Sequence, residues 1–236
     1  MKLLLISNST NAGEPYLHHP KKKIREFLGD KPVKALFIPY AAVTFSFDAY
    51  EEKVRERFRE IGHDIESIHR YRDPVQAVKS ATAIVIGGGN TWQLIKMMQD
   101  QGLLDPIRSR VLEGIPYIGW SAGSNVACPT IKTTNDMPII QPTGFQAMAL
   151  VPFQINPHYL DANPDGHAGE TREARIEEFI EVNPDMYVVG LREGTMLWVE
   201  DLNPQLIGPR PARIFKKGIA PWEVKPGEDI RFLFSR

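Results

Sequence analysis

Along the first 120 residues, short apolar runs alternate with amphipathic stretches. The runs "KLLLIS", "KALFIPY", "IESIHR", "TAIVIGG" and "IPYIGW" have the length of strands buried on both faces of a parallel sheet. Between them the period changes. In "SFDAYEEKVRERFREIG", Phe47, Tyr50, Val54, Phe58 and Ile61 recur at spacings of three and four. That spacing puts them on one face of a helix, which stops at Gly62. Asp73 and Pro74 open a second helix as N-cap and first-turn proline, and "NTWQLIKMMQDQG" forms a third, again closed by glycine. This alternation predicts an α/β three-layer sandwich with a mostly parallel central sheet.

After residue 124 the pattern loosens. Residues 125–169 are rich in Pro, Asn and Thr and predict long loops with short strands. Loops of that length inside a folded domain are often functional. "TREARIEEFIEVN" returns to helix and "MYVVGL" to strand, while "TMLWVE", "ARIFKK" and "IRFLFS" predict short antiparallel strands near the C-terminus. No repeat, low-complexity segment or linker interrupts the chain, so residues 1–236 read as one catalytic domain.

Composition narrows the classes. Of 236 residues, 42% are hydrophobic and 24% charged, ordinary values for a globular chain. A net charge of −1 gives no basis for binding nucleic acid or an anionic membrane. Cys128 is the only cysteine, which excludes an internal disulfide and a thiolate metal site and fits a reducing compartment. The N-terminal apolar run is too short for a signal-peptide core, and no segment approaches the roughly 18 apolar residues of a membrane span. A cytoplasmic protein is the expectation, with monomer and homodimer both open.

The candidate chemistry starts at "YIGWSAGSN". Gly119-Trp120-Ser121-Ala122-Gly123 follows an apolar run, the setting in which Gly-x-Ser-x-Gly forms a strained strand-to-helix turn that exposes the serine hydroxyl. A glycine-rich turn with no chemistry is the plain alternative. A serine hydroxyl needs a base, a group to orient the base, and donors for an oxyanion. His18, His19, His63 and His69 read as surface residues, which leaves His158 in "FQINPHY" and His167 in "NPDGHAGE". His158 is preferred, at a loop tip with rigid flanks. For the acid, Glu193 stands just past a buried strand, where ligand groups gather in open α/β sheets. Asp136 is its rival and would give the serine, acid, histidine order of an α/β-hydrolase. The amide of Ala122 is one oxyanion donor, and Gly87-Gly88-Gly89-Asn90 supplies the second unless it is a phosphate loop.

"IGGGNT", "YIGWSAGSN", "CPTIKTTNDMPI", "INPHY", "GHAGETRE" and "LREG" resemble, in that order, the motifs of the peptidase E family of α-aspartyl dipeptidases. The resemblance runs along almost the whole chain. It implies a cytoplasmic serine peptidase that cleaves dipeptides with an N-terminal aspartate and needs no metal or other cofactor. The fold implied is similar to the class I glutamine amidotransferases. Carried over by motif, the triad is Ser121, His158 and Glu193, with the amides of Gly89 and Ala122 as oxyanion donors. For the substrate, Arg172 is the candidate partner of the aspartate carboxylate and Asp136 of the ammonium group. Two alternatives keep their place. The same triad could act on an ester or a β-aspartyl polymer, as in the related cyanophycinases, or the fold could be a non-catalytic binding domain.

Overall fold

The computed structural model describes residues 1–162 and 169–235. In chain order the elements are β1 Lys2–Ile6, α1 Lys21–Leu28, β2 Lys34–Ile38, α2 Phe47–Arg59, β3 Asp64–Ser67, α3 Pro74–Ser80, β4 Ile84–Ile86, α4 Thr91–Asp100, α5 Leu104–Leu112, β5 Pro116–Trp120, α6 Ala122–Asn125, β6 Gln154–Tyr159, α7 Arg172–Val182, β7 Val188–Arg192, β8 Met196–Glu200, β9 Asn203–Ile207, β10 Ala212–Lys216 and β11 Ile219–Val224. The strands form two sheets. The larger has the order β3-β2-β4-β5-β1-β8-β9, and the smaller β11-β10-β7-β6. The first five strands of the larger sheet are parallel, and β8 and β9 extend it antiparallel.

Strand periodicity explains how the layers stack. Leu4, Ile6, Phe37, Ile118 and Trp120 face one side, against Ile24 and Phe27 of α1 and Tyr50, Val54 and Phe58 of α2. Leu3, Leu5, Leu36, Ile38, Ile84 and Ile86 face the other side. There they meet Val78 of α3, Leu94 and Met98 of α4, Ile107 of α5, and the inner residues Ile155, Val189 and Leu191 of the smaller sheet. Helices therefore cover both faces of a mostly parallel sheet, as the sequence predicts. Phe58 is 1% exposed, and truncating such a side chain to alanine costs about 3–5 kcal/mol.

The helix signals hold where a capping side chain exists. Ser46, Asp73, Asn90 and Thr171 each accept a hydrogen bond from a first-turn N–H of α2, α3, α4 and α7. Helices α1 and α5 have no such cap, and nothing in the sequence announces their starts. The strand expected at "IRFLFS" is instead a single 3₁₀ turn, Arg231–Phe234. Asp229 accepts from the Arg231 N–H at 2.9 Å, and Ile230 and Leu233 are buried at the three-residue spacing of that helix type. The carboxyl ends of β4, β5 and β1 lie side by side, with Ile86 opposite Gly119 and Ile6 opposite Trp120. Loops leaving those ends form the crevice described next.

Candidate active site

Strand β5 ends at Trp120, and the chain enters α6 through Ser121 at φ 53° and ψ −112°. A non-glycine residue holds that conformation only where its surroundings impose it. The Ser121 N–H donates to the Ile6 carbonyl, and the Ser121 carbonyl accepts from the N–H groups of Ser124 and Asn125, each at 3.0 Å. Both flanking glycines permit close approach: a Cβ on Gly119 would lie 2.4 Å from the Gly123 carbonyl oxygen, and one on Gly123 2.2 Å from that of Ile86. The buried Ser124 hydroxyl pins the turn, 2.7 Å from the Ile6 oxygen and 2.9 Å from the Gly119 oxygen.

His158 lies inside β6 rather than at a loop tip. Strands β6 and β7 pair in register up to Pro157 and Leu191, slip, and resume at Tyr159 and Arg192. His158 is the extra residue of that bulge, at φ 53°. Its N–H has lost its place in the ladder and donates to the Ser7 hydroxyl at 3.0 Å, while that hydroxyl donates to the Leu191 carbonyl at 2.7 Å. The bulge turns the imidazole toward β5. His158 Nε2 lies 3.1 Å from Ser121 Oγ, and His158 Nδ1 lies 2.7 Å from Glu193 Oε1. An ionised carboxylate can only accept, so Nδ1 carries the proton and Nε2 is free to accept the serine's. Glu193 follows β7 directly, and the next N–H, that of Gly194, donates to Asn8 Oδ1 at 2.8 Å. Ser7 and Asn8, at the end of β1, thus hold both the histidine and the acid turn.

Ser121 and His158 line a cavity of about 350 Å³ together with Ser9, Tyr16, Phe45, Tyr50, Lys53, Gly88, Gly89 and Asp136. Among the described residues, the N–H groups of Gly89 and Ala122 donate to no protein acceptor. Gly89 has φ 137°, and a Cβ there would lie 2.2 Å from the Ala41 carbonyl oxygen, so only glycine fits.

Asp136 is not on the histidine. Its Oδ2 accepts from the Thr91 N–H at 2.7 Å, the Thr91 hydroxyl at 2.6 Å and the Thr134 hydroxyl at 3.1 Å. It fastens the first turn of α4 to the loop and also lines the serine cavity. On its other side a hollow of about 170 Å³ is lined by Asp136, Asn156, Arg172 and Arg175. Arg172, the first residue of α7, makes no hydrogen bond or ion pair among the described residues. Burial lowers its pKa, the neighbouring Arg175 adds to that, and Asp136 opposes it. The structure therefore brings Ser121, His158, Glu193, Gly89, Ala122 and Asp136 to one crevice and sets Arg172 in the adjoining hollow. His167 lies outside the described residues.

Of the histidines read as surface residues, His63 is buried and His19 is half-buried. His63 is 4% exposed and its Nδ1 accepts from the Val33 N–H at 3.2 Å, tying the start of β2. Both ring nitrogens of His19 are buried with no hydrogen-bond partner among the described residues, and burial lowers its pKa. Asp48, Glu51 and His69 place ligand atoms within 4.8 Å of one another. The Glu51 carboxylate already accepts from Arg55 at 2.5 Å, Arg70 at 2.5 Å and the Ser67 N–H at 2.8 Å, so guanidinium groups occupy the position a cation would take. Sequence reasoning missed Ser7, Asn8 and Ser124, whose hydroxyl and amide groups serve backbone atoms distant in the chain. It also missed Arg192, which joins Asp161 and Glu223 beside Glu193.

Comparison with known proteins agrees along the whole chain. The model of "Peptidase family S51" matches residues 3–207. A peptidase E from Nostoc is 53% identical over 235 residues, 100% of this chain and 97% of the relative. A peptidase E from Salmonella typhimurium is 48% identical over 218 residues, 92% of this chain and 95% of the relative. Two solved structures share the fold. A peptidase from an acI-B1 actinobacterium has a TM-score of 0.69 at 19% identity, covering 97% of this chain and 96% of that one. A putative peptidase E protein from Listeria monocytogenes has a TM-score of 0.65 at 21% identity, covering 88% and 98%. The chain belongs to peptidase family S51 and is a peptidase.

Proposed function

We propose that this peptidase is a serine dipeptidase that removes an N-terminal aspartate from Asp-X substrates through Ser121, His158 and Glu193. The observation that carries the reading is the continuous line from Ser121 Oγ through the imidazole to the Glu193 carboxylate. In this reading His158 Nε2 takes the hydroxyl proton as Ser121 attacks the scissile carbonyl. The oxyanion accepts from the N–H groups of Gly89 and Ala122, which have no competing acceptor among the described residues. The imidazolium, held by Glu193, gives its proton to the departing amine. Water, activated by the same histidine, then hydrolyses the aspartyl ester.

Substrate choice rests on charge. An N-terminal aspartate brings one carboxylate and one ammonium group beside the scissile bond. Arg172, partly desolvated and without a hydrogen bond or ion pair among the described residues, is suited to the first, and Asp136, at the wall between the hollow and the cavity, to the second. A panel of Asp-X, Glu-X, Asn-X, β-Asp-X and N-acetyl-Asp-X peptides given to the purified protein tests this. The expected order places Asp-X far ahead. Cleavage of N-acetyl-Asp-X at the same rate would remove the role given to Asp136. Preference for β-Asp-X would replace the substrate while keeping the triad.

A further inference from the structure

The peptide unit joining Gly88 to Gly89 has two ends. Its N–H, on Gly89, is the oxyanion donor of the reading above, on which the following rests. Its carbonyl, on Gly88, accepts a hydrogen bond from the Tyr50 hydroxyl at 2.8 Å. Because a peptide unit is planar, with C=O and N–H pointing in opposite directions, fixing the oxygen also fixes the direction of the N–H. A hydrogen bond to the carbonyl further polarises the amide and strengthens the N–H as a donor. We infer that Tyr50 is a positioning residue of the oxyanion site, acting through the Gly88–Gly89 peptide rather than on the substrate.

The surroundings of Tyr50 commit its proton to that bond. Trp120 Nε1 donates to the Tyr50 oxygen at 3.2 Å, and the Tyr16 hydroxyl donates to it at the same distance. With two donors on its oxygen, the phenol has one direction left for its own hydrogen, toward Gly88. Burial pushes the Tyr50 phenol up to about 12, so it remains a neutral donor throughout the range in which a peptidase works. The ring is held edge-on by Phe37 and Phe45, with centroids 5.0 and 5.2 Å away. Trp120 is the residue before Ser121, so the same oxygen ties the serine turn to the glycine loop and sets the two oxyanion amides relative to each other.

The first glycine of the triplet serves this contact. A Cβ on Gly87 would lie 2.5 Å from the Tyr50 oxygen and 2.8 Å from its ring. A residue of any other kind there would push the hydroxyl off the Gly88 carbonyl. Each glycine then has a distinct reason: Gly87 admits Tyr50, Gly88 passes Trp120 and Ser121, and Gly89 takes a backbone conformation closed to other residues.

Tyr50→Phe keeps the ring and deletes the hydroxyl. Removing an oxyanion donor outright lowers turnover by about 10²–10³. Here the N–H remains but loses its anchor, so kcat for an Asp-X dipeptide should fall roughly 10- to 100-fold with KM unchanged, the signature of an interaction made in the transition state. Labelling of Ser121 by a fluorophosphonate, whose phosphoryl oxygen seeks the same donors, should slow in proportion. A purely structural hydroxyl would lower Tm and leave both rates alone, and that result overturns the inference. Gly87→Ala displaces the hydroxyl from the other side and should reproduce the kcat loss, so it carries the test if Tyr50→Phe does not fold. A wild-type enzyme left unlabelled at Ser121 would instead overturn the serine reading itself, and the role of Tyr50 with it.

Discussion

Ser7→Ala is the sharpest test of how the histidine is held. The Ser7 side chain is fully buried and makes two hydrogen bonds, accepting from the His158 N–H at 3.0 Å and donating to the Leu191 carbonyl at 2.7 Å. Alanine deletes both and offers nothing in return. The Leu191 carbonyl is sealed in the core, and leaving a buried polar group unpaired costs about 1–3 kcal/mol. The His158 N–H adds a smaller share, because its residue reaches solvent. A loss of about 2–4 kcal/mol follows, which in a chain of this size lowers Tm by roughly 5–12 °C. Catalysis should suffer separately. His158 sits at positive φ in a bulge, a conformation that relaxes once its N–H is released, and displacement of a reacting group by about 1 Å costs on the order of a hundred-fold. Urea titration and kcat/KM on an Asp-X dipeptide, measured on the same preparation beside Thr10→Ala, separate the two effects. Thr10 is exposed, and its substitution should stay within about 0.5 kcal/mol of wild type. If Ser7→Ala kept both the stability and the turnover of the parent, the bulge alone would hold His158 and the argument would fail.

Ser121→Ala and His158→Ala should each lower turnover by several orders of magnitude, and Glu193→Gln by less, because an amide still accepts from the ring N–H. Asp136→Asn should leave fluorophosphonate labelling of Ser121 largely intact; if it abolished labelling while Glu193→Gln did not, the acid would be misassigned. Arg172→Met should lose most of the preference for Asp-X over Asn-X, a difference of about 2–5 kcal/mol if the guanidinium pairs with the substrate carboxylate, and an unchanged ratio would show that another group reads it. Cys128 is buried, and burial pushes its thiol up to about 12, so Ellman's reagent should find one thiol in urea and none in the native protein at pH 8. The unfolded chain loses that proton near the ordinary 9.0 while the folded chain keeps it. Stability should therefore fall as pH rises from there toward 12, by at most about 1.4 kcal/mol per unit, and a rise over that window would contradict the assignment.

How much of this could be read from the sequence depended on whether the signal was local. Ser121 announces itself, because its two glycines and the apolar run before it lie within a few residues. His158 was legible as a residue beside a strand, yet the bulge that aims it is made by pairing with β7, which no window around "INPHY" contains. The sequence favours Glu193 over Asp136 by its place after a separate apolar run and by the family motif, since the contacts of either acid lie outside any local window. Only the fold shows that Asp136 is occupied by Thr91 and Thr134. Strands β9 and β11 escaped notice because Pro204 and Pro221 interrupt them and half their residues face solvent. Tyr50 was visible only as one apolar position on α2, since a helical period registers the ring and says nothing of where the hydroxyl goes.

The junction at the end of β1 has a consequence for biosynthesis. Ser121 follows a strand of the larger sheet, His158 lies in the edge strand of the smaller one and Glu193 just after its neighbour β7, and Ser7 and Asn8 join the two sheets. As the chain leaves the ribosome from its N-terminus, Ser121 emerges well before Glu193, the acid of the proposed triad. On the proposed triad, a nascent or truncated chain ending before β7 carries the Ser121 hydroxyl without the acid that orients its base, and should hydrolyse nothing. If the proposed triad holds, peptidase activity is thus withheld from any copy that ends before β7, with no inhibitory segment needed to restrain it.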